Sequence, residues 1–285
     1  MNTAPGEGLI GSVTRDLIVT RGDFHVRLAD REEWLDRSRT LVSNMYSWRG
    51  YSSGLEGADA RPDRFTFQAC RDGEVFGTIS VCIESYARLP ADALYRSELD
   101  AYRISGAKTC ELTHFAIARG HGSKRVLGTL FHVAYLYAAV VRHATDMFIE
   151  VNPRHALFYL RMLHFRKIGA LKMCTRVNAP ALLMHLSMDH VARQIERFGG
   201  HRNRTRTSLY PYALAAAEDR LLRLRMIREH LGEYMHEPVD SVLIPGLREG
   251  AAPMRLEGGP LSASWERDAA GLASVRPTRR TVRVA

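Results

Sequence analysis

Residues Asn152–Phe165 read NPRHALFYLRMLHF and follow directly on DMFIEV, Asp146–Val151. The six residues before the turn form a short apolar run of the kind a buried strand shows. Asn152 has the side chain of a helix N-cap, able to accept from an orphan amide of the first turn. Pro153 suits the first helical position, where no N–H is needed. Ala156, Tyr159, Leu160 and Leu163 then recur at helical spacing. The spacing predicts a strand, an abrupt turn and a short helix. It fits a plain αβ unit of a core, and it fits an acyl-transfer site.

Upstream, TCELTHFAIA (Thr109–Ala118) reads as a strand. GHGSKRVLGTLFHVAYLYAAVVRHATD (Gly120–Asp146) reads as a loop and a long helix, buried through Val126, Leu130, Ala134, Tyr137, Ala138 and Val141. RFTFQACRDGEVFGTISVCIES is a hairpin with Asp72-Gly73 at its turn. Before it, FHVRLA alternates like a strand. DREEWLDRSRTLVSNMYS is a helix whose Asp30 and Glu33 have capping-box spacing. LPADALYRSELDAYRISGAK reads as an irregular or helical insertion, and IGALKMCTR and ALLMHLSM supply the last strands. This order predicts an α/β (α+β) domain over residues 21–190, with a mixed, mostly antiparallel sheet flanked by helices. Residues 1–20 read as a loose leader and 191–241 as a helical extension. Residues 242–285 have little apolar periodicity and read as a disordered basic tail.

The 285 residues are 46% apolar, as in a soluble globular protein. No apolar run approaches the roughly 20 residues of a membrane span, and the N-terminus lacks the pattern of a secretory signal. Cys70, Cys82, Cys110 and Cys174 are scattered without metal-ligand spacing, so no metal is expected. They read as small buried thiols in a reducing cytoplasm. The net charge of +9 suits an acidic partner. The basic clusters HRNRTR and RPTRRTVR carry no interleaved aromatics for base stacking, so nucleic acid is not expected.

The strand–helix order, with Asn152, Ala156, Tyr159 and Phe165 in it, resembles the GNAT acyltransferase superfamily. A closer resemblance is to the N-acyl amino acid synthases of the FeeM type, relatives of the acyl-homoserine-lactone synthases. ELTHFAI (Glu111–Ile117) is similar to their Glu–x–Ser/Thr–Arg–Phe/Leu–Ala segment, DGEVFGTISV to their central hairpin and WRGY to their early aromatic loop. Three positions depart from the family pattern. His114 and Ser80 stand where arginines are expected, and His164 where glycine is expected before Phe165.

The resemblance implies transfer of a fatty acyl chain to the amine of an amino acid or similar small acceptor. The chain would arrive on the phosphopantetheine arm of acyl carrier protein, with no bound cofactor. Glu111 would orient the acceptor ammonium and help remove its proton, or else pair with an arginine as a structural carboxylate. His114 would bind an acceptor carboxylate, act as a base, or rest in the core. In a regular strand Glu111 and His114 face opposite ways, because their separation is odd, so they cooperate only across a bulge. Backbone amides around Phe115 to Ile117 are natural oxyanion donors.

Tyr159 would protonate the departing thiolate or pack by its ring. Asn152 would contact the substrate. Lys124 and Arg125 would meet the prosthetic phosphate or the carrier surface, or lie solvated. Trp48 and Tyr51, with Phe65, Phe67 and Phe76, would line an acyl tunnel or fill core. SKRVLG (Ser123–Gly128) has Val126 where a CoA phosphate loop has glycine, which favours the carrier as donor. Gly120 and Gly122 leave open a shifted loop and a CoA-dependent N-acetyltransferase. A GNAT-like binding protein without activity is the remaining alternative.

Overall fold

Strand pairing follows the apolar pattern. The computed structural model describes residues 17–51, 61–85, 87–201 and 207–235. Among them the strands are β1 (Leu17–Arg21), β2 (Phe24–Leu28), β3 (Arg64–Arg71), β4 (Glu74–Ile83), β5 (Thr109–Ile117), β6 (Asp146–Val151), β7 (Arg166–Lys167), β8 (Lys172–Cys174) and β9 (Ala179–Ser187). They form a sheet in the order β1-β2-β3-β4-β5-β6-β9-β7, with β8 paired to β9. Every pairing is antiparallel except β5 with β6. Parallel neighbours need a crossover. After α1 (Glu32–Ser47) and α2 (Asp92–Ile104), helix α3 supplies it over Lys124–Leu136, continued by a π-turn at Tyr137–Val141.

α3 is apolar on nearly every side because it is covered on nearly every side. Val126, Leu130, Val133, Ala134 and Leu136 are all buried. Phe67, Ile79 and Val81 on β3 and β4 belong to the same core. Each of the Val, Leu, Ile and Phe side chains among them contributes roughly 1.5–3 kcal/mol through burial. A second cluster joins α2 to the sheet through Tyr95, Leu99, Phe148 and Leu183. Arg103 fastens α2 further through its pair with Glu84, just past β4, at 2.8 Å, and it also pairs within the helix with Asp92 at 2.6 Å.

The turn at residue 152 forms as its residues demand. Asn152 accepts from the Arg154 amide at 3.1 Å, Pro153 is the first residue of α4 (Pro153–Leu163), and the helix follows. Its buried residues are Tyr159 and Leu163, whereas Leu160 is 49% exposed. The expected stripe is therefore turned toward His155, Phe158 and Met162, which are half-buried. α1 starts later than the capping-box spacing suggests. Arg31 is its N-cap, makes no side-chain cap, and lies over the Trp34 ring at 4.6 Å instead. The insertion is helical, as α2. Residues 17–20, expected in a loose leader, belong to β1 and pair with β2. All four cysteines are free and buried.

Beyond residue 187 come α5 (Met188–Phe198), a 3-10 turn (Tyr210–Tyr212) and α6 (Ala216–Met235). Val191, Ile195, Leu209, Leu222 and Met226 from this region enter the same core as α3. His132 of α3 ties it down, accepting from the Leu214 amide at 2.9 Å while its other ring nitrogen meets Asp219 at 2.7 Å. Gly128 permits this approach, since a Cβ there would lie 2.7 Å from Cβ of Tyr212. The expected disordered tail, the basic run at 202–206 and residues 1–16 of the expected leader lie outside the described residues.

Candidate active site

β5 and β6 pair from Thr109↔Asp146 to Leu112↔Ile149 and then part, although β5 runs on to Ile117 and β6 to Val151. At the same place β5 bulges against β4. Ser80 pairs with Thr113 and Thr78 with Ala116, so His114 and Phe115 together face the single residue Ile79. His114 takes the left-handed conformation that the bulge requires, with φ of 49°. The extra residue corrects the odd separation, and Glu111 and His114 both line one cavity of about 490 Å³. Helices α3 and α4 begin where the two strands part.

The cavity wall is largely apolar, with Leu112, Phe115, Ile117, Phe131 and Phe158 among its residues. A few polar groups converge in it, as in small-molecule sites generally. Glu111 is only 2% exposed, and its Oε2 accepts from the Ala91 amide at 2.8 Å. Burial pushes its carboxyl up to about 8. The Ala91 hydrogen bond, Arg176 and Arg61 pull the other way, and Glu150 adds to the rise. His114 is pulled down to about 3 by burial and by the charges of Arg64 and Arg176. It is therefore a neutral imidazole across the working pH range and a weak base. Burial raises the Tyr159 phenol well above its ordinary value, helped by Tyr46, so it keeps its proton.

Tyr51 and Asn152 also line the cavity. The Tyr51 hydroxyl is buried without a hydrogen-bond partner among the described residues. Asn152 is engaged as the α4 cap and donates to the Pro180 carbonyl at 3.1 Å. Phe115 and Ile117 are wall residues. Trp48, Lys124 and Arg125 stand outside the cavity. Trp48 is 57% exposed and has Arg119 over its ring at 4.7 Å. Lys124 lies 5.8 Å over the Tyr212 ring, and Arg125 is exposed beside Gly22. The expected tunnel aromatics are core. Phe65 and Phe67 pack on Tyr137 at 4.6 and 5.4 Å, and Phe76 on Phe24 at 6.1 Å.

Sequence spacing alone misses Arg64, Arg176, Glu150, Tyr46, Arg49 and His155, all in the cavity wall. Arg176 pairs with Glu150 at 2.8 Å. Arg49, just past the end of α1, reaches α4 through His155 at 3.1 Å. Glu150 alone had a visible signal, being a carboxylate inside the apolar run MFIEV.

The family model of the N-acyl amino acid synthase FeeM matches residues 37–187. The chain belongs to this family. The solved structure of FeeM from uncultured soil microbes is 30% identical, with a TM-score of 0.53, over 58% of this chain and 92% of that one. An acyl-CoA N-acyltransferase from Pseudomonas aeruginosa aligns at 13% identity and a TM-score of 0.42, over 57% of this chain and 98% of its own. The acyl-homoserine-lactone synthase LasI aligns at 11% and 0.40, over 58% and 90%. No curated protein sequence matches the chain. As a member of the FeeM family the chain is an N-acyltransferase of GNAT-like fold.

Proposed function

We propose that this enzyme moves a fatty acyl chain from acyl carrier protein to the amine of an amino acid or a similar acceptor, forming an N-acyl amino acid. The observation that carries the reading is the bulge at His114, which brings Glu111 and His114 to one apolar cavity at the parting of β5 and β6. An acyl chain suits the apolar wall. The acceptor amine must be neutral to attack the thioester carbonyl, and Glu111, as its carboxylate, takes the proton. Backbone amides of Phe115 to Ile117 lie beyond the last β5–β6 pair and are candidates to hold the oxyanion. Tyr159 retains a proton that the leaving thiolate needs.

Neutral His114 is a hydrogen-bonding group, not a counterion. Arg64 and Arg176, the latter already paired with Glu150, place positive charge beside His114, where the family has an arginine, and an acceptor carboxylate would be drawn to it.

A second reading, with CoA as donor, draws support from Gly120, whose φ of +81° makes a turn just before α3. Purified protein offered acyl-loaded carrier protein or acetyl-CoA, with a panel of amino acids, decides between them by mass spectrometry of products. Faster amide formation from the carrier is the expected result. Faster turnover of acetyl-CoA selects the second reading, and no transfer from either donor removes the enzymatic one.

A further inference from the structure

We propose that Phe131 sets the length of the acyl chain this enzyme accepts, by closing the apolar cavity against a second apolar space behind it. This rests on the fatty acyl reading above and names the residue that limits the donor.

Helix α3 faces two cavities. Leu127 and Phe131 line the large one. Gly128, His132 and Tyr135 line a second, of about 30 Å³, and Phe131 lines that one too. With about 3.6 residues to a turn, Phe131 falls between Leu127 on one side and Gly128 and Tyr135 on the other. Among the described residues it alone lines both spaces. Its ring is the partition. It is 8% exposed, with the rings of Phe115 and Tyr159 centred 5.0 and 6.3 Å away.

The second cavity suits hydrocarbon. Met147, Leu163, Leu186, Ile195 and Leu209 are among its walls. Its polar side chains are already engaged. The Tyr210 hydroxyl donates to the Leu163 carbonyl at 2.7 Å. The His132 ring uses both nitrogens, on the Leu214 amide and on Asp219. The space would admit one water, but a water also needs several polar partners, and those here are taken. Apolar walls that face a gap lack contacts, and a methylene entering the gap would restore them. Ile195, Leu209 and Ala213 belong to the chain beyond residue 187, so this wall is shaped in part outside the stretch that matches the family. A chain that runs along the apolar wall of the large cavity stops at Phe131. Without the ring, the two spaces join.

The test measures kcat/KM for amide formation against chain length. Saturated acyl donors from acetyl to hexadecanoyl are offered on carrier protein and on CoA, with the amino acid that wild type uses best. Phe131→Ala is expected to move the best chain longer by about two to four methylenes, each newly buried methylene adding about fourfold. Phe131→Leu, which costs the core less, should shift the profile the same way by about one methylene. Phe131→Trp should shift it to shorter chains. Ala213→Val fills the second cavity. It should leave the wild-type profile unchanged and cancel the gain when added to Phe131→Ala. Circular dichroism checks that each variant is folded.

An unchanged profile in the folded Phe131 variants overturns the proposal. So do equal losses at every chain length, because the ring is then only a support. A gain in Phe131→Ala that survives Ala213→Val overturns it as well, since the chain is then not in the second cavity. These three results leave the acyl-transfer reading standing. A wild type that forms amide from the acetyl donor alone overturns the fatty acyl reading and the proposal with it.

Discussion

From Thr109 to Leu112, β5 is paired on both sides, to β4 and to β6; from Thr113 to Ile117 it keeps only β4, and keeps it through a bulge. The first half is regular and its neighbours are sealed. Phe148, opposite Glu111 on β6, is wholly buried against Tyr102 and Leu183. The second half gives up parallel pairing and places a histidine in left-handed backbone, which costs roughly 1–2 kcal/mol for a residue with a Cβ. The comparison separates two demands on one strand. Continuous pairing supplies stability, and its interruption supplies a cavity with an edge of backbone and side chains turned into it.

The closed half should break hardest. Phe148→Ala removes a fully buried ring and should lower the free energy of unfolding by about 3–5 kcal/mol, read from urea unfolding. A loss below 1 kcal/mol would show that the closed half is not what holds β5 and β6 together.

Glu111 lies on the boundary, and Glu111→Gln should cost on the order of 10²-fold in acyl-transfer rate, about 2.7 kcal/mol, with the fold retained. The pH dependence carries a sign. With its carboxyl at about 8 in the fold, the base is present above that pH, so the wild-type rate should rise through pH 8. The folded state also keeps a proton that the unfolded chain, at about 4.5, has lost. Wild-type stability should then fall between those values, by up to about 1.4 kcal/mol per pH unit from this group. Melting curves at pH 5 and pH 9 should show a gap for wild type that narrows in Glu111→Gln. A variant with the wild-type rate would remove Glu111 from the chemistry.

The smallest effect probes the bulge alone. His114→Gly accepts a φ of 49° freely, whereas His114→Val resists it and should lose about 1–2 kcal/mol relative to the glycine variant. Equal stability of the two would mean that this conformation is not retained in solution.

Much of the fold is written locally. The turn at Asn152-Pro153 and the hairpin at Asp72-Gly73 are set by residues adjacent in the chain, and both form where their spacing puts them. β1 is less legible because five residues beside a glycine turn have no period of their own, and pairing with β2 defines them. The start of α1 is blurred by two acidic residues, Glu32 and Glu33, that suit a first turn in either register. The site divides the same way. Glu111 and Tyr159 can be picked out within short motifs. Arg64 and Arg176 come from β3 and from the turn between β8 and β9, and only the folded sheet makes them neighbours of His114. Leu160 illustrates the opposite error, since helical spacing marks a stripe but leaves its rotation to the packing around it.

His132 has one further consequence. Its ring accepts a backbone amide on one side and meets Asp219 on the other, so α3 is welded to residues 214–219. β3, at the other flank, takes β2 as its partner. In both contacts the partner lies outside residues 37–187, the stretch that matches the family. The evolutionary module and the folding unit therefore have different borders in this chain. Excising the former would bare a strand edge on one side and a polar ring with an apolar helix face on the other.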